Sequence, residues 1–294
     1  RLSDGSRVNA IIPPLSPTGP MLSIRKFSRT RFTTDELLAF GSLSEDMAQF
    51  LQTCIRGRKN LIVSGGTGSG KTTLLNALSS YIPEHERIIT IEDAAELRLG
   101  QEHWIPLEAR PPNVEGKGGV SVRQLFRNTL RMRPDRIIIG ECRSDETMDM
   151  LQAMNTGHDG SMTTLHANSP SDVMTRLDSL VLMSNVELPV RAIREQIGAA
   201  IDLIVHTGRL SDGSRKITRI TELVGLDERS DIILRDLFVY RQHGVDQAGQ
   251  VQGDFVPTGE VPTFLKDLAS KGLVLEETMF RRAAESAGSP HGRL

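Results

Sequence analysis

The segment Gly65-Gly-Thr-Gly-Ser-Gly70-Lys71-Thr72 constrains this chain more than any other. It follows the apolar run Leu61-Ile-Val63 and opens a helical pattern at Lys71. A strand, a glycine-rich turn and a helix in direct succession are the context in which G-x-x-x-x-G-K-[ST] forms a phosphate-binding loop. Glycines let successive backbone N–H groups turn inward around an anion. The helix N-terminus adds roughly half a positive charge. Gly66, Thr67, Gly68, Ser69, Gly70, Lys71, Thr72 and Thr73 are therefore the expected nucleotide-binding residues. Lys71 is placed to reach the β- and γ-phosphates of ATP, and the Thr72 hydroxyl to hold Mg²⁺.

The rest of the chain divides around this loop. Residues 1–30 hold an Asp-Gly turn signal, an apolar strand Val8 to Ile12, a proline-rich bend and a second strand Met21 to Phe27. They read as the tail of an N-terminal domain, the chain opening on Arg1 as a truncated piece. Residues 31–44 read as a linker with a short helix, and residues 45–294 as the main domain. In that domain, strands at Arg87–Ile91, Arg136–Ile139 and Ile201–His206 alternate with helices after Ser121, Ser144, Ser169 and Pro189. The Ser121 helix is expected to run to Met132. Such alternation predicts an α/β fold with a mostly parallel sheet covered on both faces. The heptapeptide Arg-Leu-Ser-Asp-Gly-Ser-Arg occurs twice, at 1–7 and 209–215. The flanks differ, which favours two similar hairpin turns over a duplicated domain.

Three further motifs carry chemistry. The second strand ends Ile91-Glu92-Asp93, and carboxylates at a strand's carboxyl end face the ligand crevice of an open α/β sheet. Glu92 reads equally as a polariser of water or metal and as an acidic N-cap of the next helix. Arg136-Ile-Ile-Ile-Gly140-Glu141 resembles a Walker B strand with Gly140 in place of the metal-holding Asp. That leaves Glu141 to accept a proton from an attacking water or to orient it. Gly157-His158 through Asn168 is rich in short polar residues. There His166 reads either as a γ-phosphate partner or as a packing histidine. Arg123, Arg127 and Arg131 recur along one helical stripe, and a solvated basic face is the favoured reading of them. The basic run Arg25 to Arg31 is read the same way.

Composition excludes several classes. Lys and Arg total 35 against 37 Asp and Glu, a net charge of −2, and aromatics are only 4% of 294 residues. Neither suits a general polyanion binder or a base-stacking platform, so nucleic acid is not an expected partner. The two cysteines form no zinc or disulfide spacing, which points to a reducing cytosol. No apolar run approaches the 18 residues needed to span a membrane, so no transmembrane segment or signal peptide is expected.

Taken together, the motifs resemble the secretion traffic ATPases that power type II and type IV secretion and type IV pili. The markers are the phosphate loop, Ile89-Thr-Ile-Glu-Asp93, Ile139-Gly-Glu141-Cys-Arg143 and the Gly157–Asn168 box, in that order. Arg7-Val-Asn-Ala-Ile-Ile-Pro-Pro14, Ser23-Ile-Arg-Lys-Phe27 and Leu107-Glu-Ala-Arg-Pro-Pro-Asn113 look like the CpaF/TadA branch, which drives Tad pili. The resemblance implies a RecA-like ATPase domain, a homohexamer, and work at the cytoplasmic face of the inner membrane with platform proteins. It assigns Glu141 as the catalytic carboxylate, Glu92 as a water or metal partner, and His166 as functional. It also makes Arg7 and Arg25 phosphate clamps from the N-terminal domain. It disfavours the branch with a four-cysteine zinc knob. A type IV secretion ATPase, a RecA-like nucleic-acid translocase and a catalytically silent assembly module are the rival readings.

Overall fold

The computed structural model describes residues 2–26, 31–184 and 187–281. Phe27 and Arg29 of the basic run lie outside them. The chain divides into two compact units, Arg1–Phe32 and Thr33–Leu294.

The first unit is a two-stranded hairpin, β1 (Arg7–Ile11) and β2 (Met21–Arg25), paired antiparallel. Its register places Arg7 opposite Arg25, Val8 opposite Ile24, Asn9 opposite Ser23 and Ala10 opposite Leu22. Side chains alternate between faces. Val8, Ala10, Leu22 and Ile24 therefore make an apolar face, while Arg7, Asn9, Ser23 and Arg25 share the other.

The second unit begins with α1 (Thr34–Ala39), opened by a Thr33–Glu36 capping box, and α2 (Glu45–Arg56). These lead into β3 (Leu61–Gly65), α3 (Lys71–Ser79), β4 (Ile88–Glu92) and β5 (Trp104–Glu108). Next come α4 (Val122–Thr129), β6 (Arg136–Ile139), α5 (Glu146–Asn155) and β7 (Met162–His166). The helices α6 (Pro170–Met183) and α7 (Val190–Ala200) precede a meander of β8 (Leu203–Arg209), β9 (Arg215–Leu226), β10 (Ile232–Val245) and β11 (Val251–Pro257). A short helix, α8 (Leu265–Ser270), follows. The Ser121 helix stops at Thr129 rather than Met132, so Arg131 lies beyond its end.

All strands of this unit join one sheet, in the order β11-β10-β9-β8-β3-β7-β6-β4-β5. Pairs from β8 to β5 are parallel, and the meander from β8 to β11 is antiparallel. The mostly parallel α/β sheet read from the sequence is present, and three antiparallel strands extend it beyond β8. Central strands are buried on both sides and so read as unbroken apolar runs. Ile62, Ile89, Ile91, Ile137, Ile139, Leu165 and Ile204 pack one face together with residues of α4 to α7. Leu61 and Val63, pointing the other way, are equally buried. The few aromatics are concentrated in a knot where Phe50 of α2 meets Phe238 of β10 at 5.8 Å and Phe280 edge-on at 5.5 Å.

Charged groups are buried here as well. The Arg136 side chain is fully buried at the start of β6, where its Nε donates to Glu86 Oε2 at 2.5 Å. Its Nη2 donates to the Ile55 carbonyl at 2.7 Å and its Nη1 to the Gly160 carbonyl at 3.2 Å. The guanidinium thus ties α2, β6 and the loop before β7 at the sheet edge opposite the phosphate loop. Removing one partner of a buried pair leaves an uncompensated charge and costs about 3–5 kcal/mol. Glu86→Ala should show that loss in urea unfolding. The joint Glu86→Leu and Arg136→Met replacement, which removes both charges, should cost clearly less.

Candidate functional site

The site lies along the carboxyl ends of β3, β7, β6 and β4, where an open α/β sheet leaves a crevice. Register places its members. Gly65, the last residue of β3, pairs with His166 of β7 on one side and with Thr207 of β8 on the other. Gly70 then caps α3 with φ +95°, a left-handed conformation that glycine adopts without strain. This turn brings the Lys71 side chain back over the strand end. Lys71 Nζ donates to the Gly65 and Gly66 carbonyls, both at 3.0 Å.

The same ammonium lies 3.3 Å from His166 Nδ1 and 3.4 Å from Nε2, and His166 Nε2 lies 3.5 Å from Glu141 Oε1. An ammonium can only donate. The arrangement therefore suits a neutral ring that accepts from Lys71 at Nδ1 and presents Nε2–H to Glu141. Burial and the Lys71 charge both lower the His166 pKa, against an opposing pull from Glu141, which favours that neutral form. Burial also lowers the Lys71 pKa, again opposed by Glu141. Glu141 Oε2 accepts from Arg143 Nη2 at 2.6 Å, and Arg143 Nη1 lies 3.7 Å from Asp93. Lys71, His166, Glu141, Arg143 and Asp93 thus form one chain of alternating charge and polarity across the ends of β3, β7, β6 and β4. Arg143 and Asp93 appeared in the sequence only as neighbours of the motif glutamates, and their pairing needed the fold.

Glu92 is placed differently. It is only 4% exposed, and its Oε1 accepts from the Glu96 and Leu97 amides at 2.9 and 3.1 Å. It therefore caps a backbone turn, although no helix follows it. Its side chain also explains Gly140. β4 and β6 are neighbours, and a Cβ added at Gly140 would come within 2.7 Å of Glu92 Cγ. A carboxylate from the adjacent strand occupies the space next to the position where a Walker B strand carries its own.

The phosphate loop is held from β8 as well. Thr207 Oγ1 donates to Ser69 Oγ at 2.9 Å, and the Ser64 hydroxyl lies 2.8 Å from His206 Nδ1. The Thr72 side chain has no hydrogen-bond partner among the described residues and stands at the start of α3. Among the described residues no group of three His, Cys, Asp or Glu side chains surrounds a metal position. A hydroxyl oxygen is a ligand type that suits Mg²⁺, an ion that keeps several of its waters.

Arg7 and Arg25 are directly opposed across the N-terminal hairpin and share its polar face. The helical arginines are engaged elsewhere. Arg123 pairs with Asp145 and Asp149 of the neighbouring helix, at 2.9 and 2.5 Å, and Arg127 reaches Asp149 at 3.5 Å.

Burial raises the Glu92 pKa from 4.5 to about 7, against the lowering effect of its two amide donors. A carboxyl whose folded pKa is raised favours the fold in its protonated form. Its contribution is fully present below pH 4.5 and is lost as pH rises through about 7, with a slope of at most about 1.4 kcal/mol per pH unit. Urea unfolding at pH 5 and pH 8 should therefore show a smaller stability difference in Glu92→Gln than in the wild type. In a second experiment, Gly140→Ala should destabilise by about 1–3 kcal/mol through overpacking. Most of that penalty should disappear in a Gly140→Ala, Glu92→Ala double-mutant cycle.

Comparisons with known proteins agree with this architecture. The chain is 37% identical over 243 residues to the type IV secretion system protein PtlH of Bordetella pertussis, covering 73% of this chain and 71% of PtlH. It is 34% identical over 224 residues to the conjugal transfer protein TrbB of Rhizobium radiobacter, covering 75% and 65%. A Mycobacterium tuberculosis protein that carries a conjugal-transfer name is 40% identical over 217 residues, and there the chain spans 61% of the relative's length. Among solved structures, the VirB11 ATPase of the Brucella suis type IV secretion system, in complex with sulphate, matches with TM-score 0.55 and 31% identity, covering 75% of this chain and 72% of that one. The pilus retraction motor PilT with bound ADP shares the fold at TM-score 0.54 and 23% identity, covering 77% and 66%. The model of the type II/IV secretion system protein family matches residues 1–253, and the chain belongs to that family.

Proposed function

We propose that this chain is an ATP-hydrolysing motor subunit of a pilus or secretion machine, working as a homohexamer against inner-membrane platform proteins from the cytoplasmic side. The observation that carries the reading is the run Lys71–His166–Glu141–Arg143 beside an intact phosphate loop. Lys71 is poised to exchange its two loop carbonyls for β- and γ-phosphate oxygens. The loop amides from Gly66 to Thr73 supply the remaining donors. Mg²⁺, when held at Thr72, neutralises charge on the same oxygens. Glu141 accepts a proton from the attacking water or orients it. His166, standing between Lys71 and Glu141, senses the γ-phosphate as Lys71 moves onto it. Glu92 buttresses Gly140 and so positions Glu141, with water or metal contact as its further assignment. Among the described residues no helix is long and apolar enough to cross a membrane.

The proposal extends to Arg7 and Arg25 as phosphate ligands of the N-terminal unit. Their opposed positions on one face present two guanidiniums to a single polyanion. An added arginine on a transferring phosphoryl group contributes about 10³-fold or more in rate.

Within the family, the segments 7–14, 23–27 and 107–113 support the Tad pilus branch. The relatives PtlH, TrbB and VirB11 favour the second reading, a type IV secretion ATPase. ATPase stimulation by a Tad platform protein, set against stimulation by a type IV secretion membrane partner, separates the two.

Lys71→Ala should abolish measurable ATP affinity in calorimetry, and unchanged affinity would remove the phosphate-loop assignment. Glu141→Gln should keep ATP binding and lose at least about a hundredfold in turnover, the scale of a lost general base. Arg7→Ala and Arg25→Ala should lower turnover without altering oligomeric state in sedimentation.

A further inference from the structure

Arg215, the first residue of β9, donates from Nε to the Gly68 carbonyl of the phosphate loop at 3.0 Å. Its stem lies over the loop too, since a Cβ added at Gly70 would come within 3.2 Å of Arg215 Cδ. The next two residues of the strand hold a different segment. Lys216 Nζ donates to the Gly41 carbonyl, and the Ile217 amide to the Ser42 carbonyl, both at 2.8 Å. Gly41 and Ser42 lie between α1 and α2, in the stretch that leads from the N-terminal unit into the sheet. Lys216 also stands over the Tyr240 and Phe255 rings, 5.5 and 5.9 Å from their centroids. Three consecutive strand residues therefore span from the phosphate loop to the linker.

The turn that delivers Arg215 is rigidly built. Asp212 accepts from the Ser214 amide at 2.8 Å and from the Val251 amide of β11 at 2.9 Å. The Leu210 amide donates to the Ser214 carbonyl at 2.8 Å, closing the turn.

The bond to Gly68 acts on a peptide that phosphate binding must use. In a trans peptide the C=O and N–H point in opposite directions. Drawing the Gly68 carbonyl outward therefore turns the Ser69 amide into the loop, where it lies 3.4 Å from the Gly66 carbonyl. When a phosphate takes over that amide, the peptide plane pivots, and the carbonyl held by Arg215 moves with it.

We propose that Arg215 is a positioning residue for the phosphate loop, and that the run Arg215–Lys216–Ile217 carries loop occupancy to the linker at Gly41–Ser42. The proposal rests on nucleotide binding at residues 65–73. Arg215 is not assigned a contact with the nucleotide itself; it acts through the Gly68–Ser69 peptide.

The test is amide hydrogen exchange of residues 33–44 in the full chain, with and without Mg²⁺ and the non-hydrolysable analogue AMP-PNP, beside calorimetric affinity. In the wild type, saturating analogue should change protection of the amides around Ser42. Arg215→Ala should weaken analogue binding about tenfold, the scale of one charge-assisted hydrogen bond, and should lose the linker response even at saturation. Lys216→Met keeps an unbranched apolar side chain of similar length and removes the bond to Gly41 together with the charge over the rings. It should retain affinity within about twofold and show a reduced linker response. Wild-type affinity and a wild-type linker response in Arg215→Ala would overturn the proposal. Weakened binding with an intact linker response would overturn the coupling. Failure of the wild type to bind the analogue would instead overturn the nucleotide reading, and the proposal with it.

Discussion

The position of β3 between two parallel partners governs the whole second unit. Because β7 and β8 both pair with it in register, the last residue of β3 is flanked by His166 and Thr207. The chain must leave the sheet at that point in a tight glycine-rich turn, and whatever the turn binds is met by side chains from both neighbours. β6 and β4 lie beyond β7, so Glu141 and Glu92 reach the same edge from farther along the sheet. The distances across the site follow from the spacing of strands, about 4.8 Å from one to the next.

Electrostatics then separates the two glutamates. Glu141 stands in the crevice between a histidine and an arginine, partly exposed and free to meet solvent. Glu92 is withdrawn under the backbone, where burial opposes its ionised form. Two carboxylates on neighbouring strands thus meet different surroundings, one at the crevice and one beneath the backbone, and burial opposes ionisation of the second.

Much of this arrangement was legible in local sequence. The phosphate loop, its preceding strand and its helix are adjacent in the chain, so periodicity and glycine content sufficed to place Gly66 through Thr73. The helix start at Ser121 is likewise local, with the capping box the structure shows there. What escaped the sequence depends on which strands become neighbours. Gly140 read only as a missing aspartate until β4 was found beside β6, with the Glu92 side chain where a Cβ would go. Arg215 belonged to a repeated heptapeptide whose second copy looked like surface turn, and its contact with Gly68 spans 147 positions. The meander after β8 was missed because its strands are long, half-buried and polar on one side. They lack the apolar runs that marked β3, β6 and β8.

The repeated turn also bears on how the chain reaches this structure. Residues 2–6 and 210–214 close the same way in two surroundings. Leu2 donates to the Ser6 carbonyl at 2.9 Å as Leu210 does to that of Ser214, and Asp4 accepts from the Ser6 amide as Asp212 does from that of Ser214. A turn so indifferent to context forms from its own residues, and the β8–β9 hairpin that its second copy closes can zip on short-range contacts. β3 has no such help, since its pairing with β8 joins Ser64 to His206 across 142 positions. During synthesis from the N-terminus, β3 therefore keeps one bare edge until β8 has left the ribosome. An exposed apolar edge invites association with other nascent chains. The β8–β9 turn, built from contacts within its own residues, lets β8 settle onto β3 as part of a hairpin rather than as a lone strand.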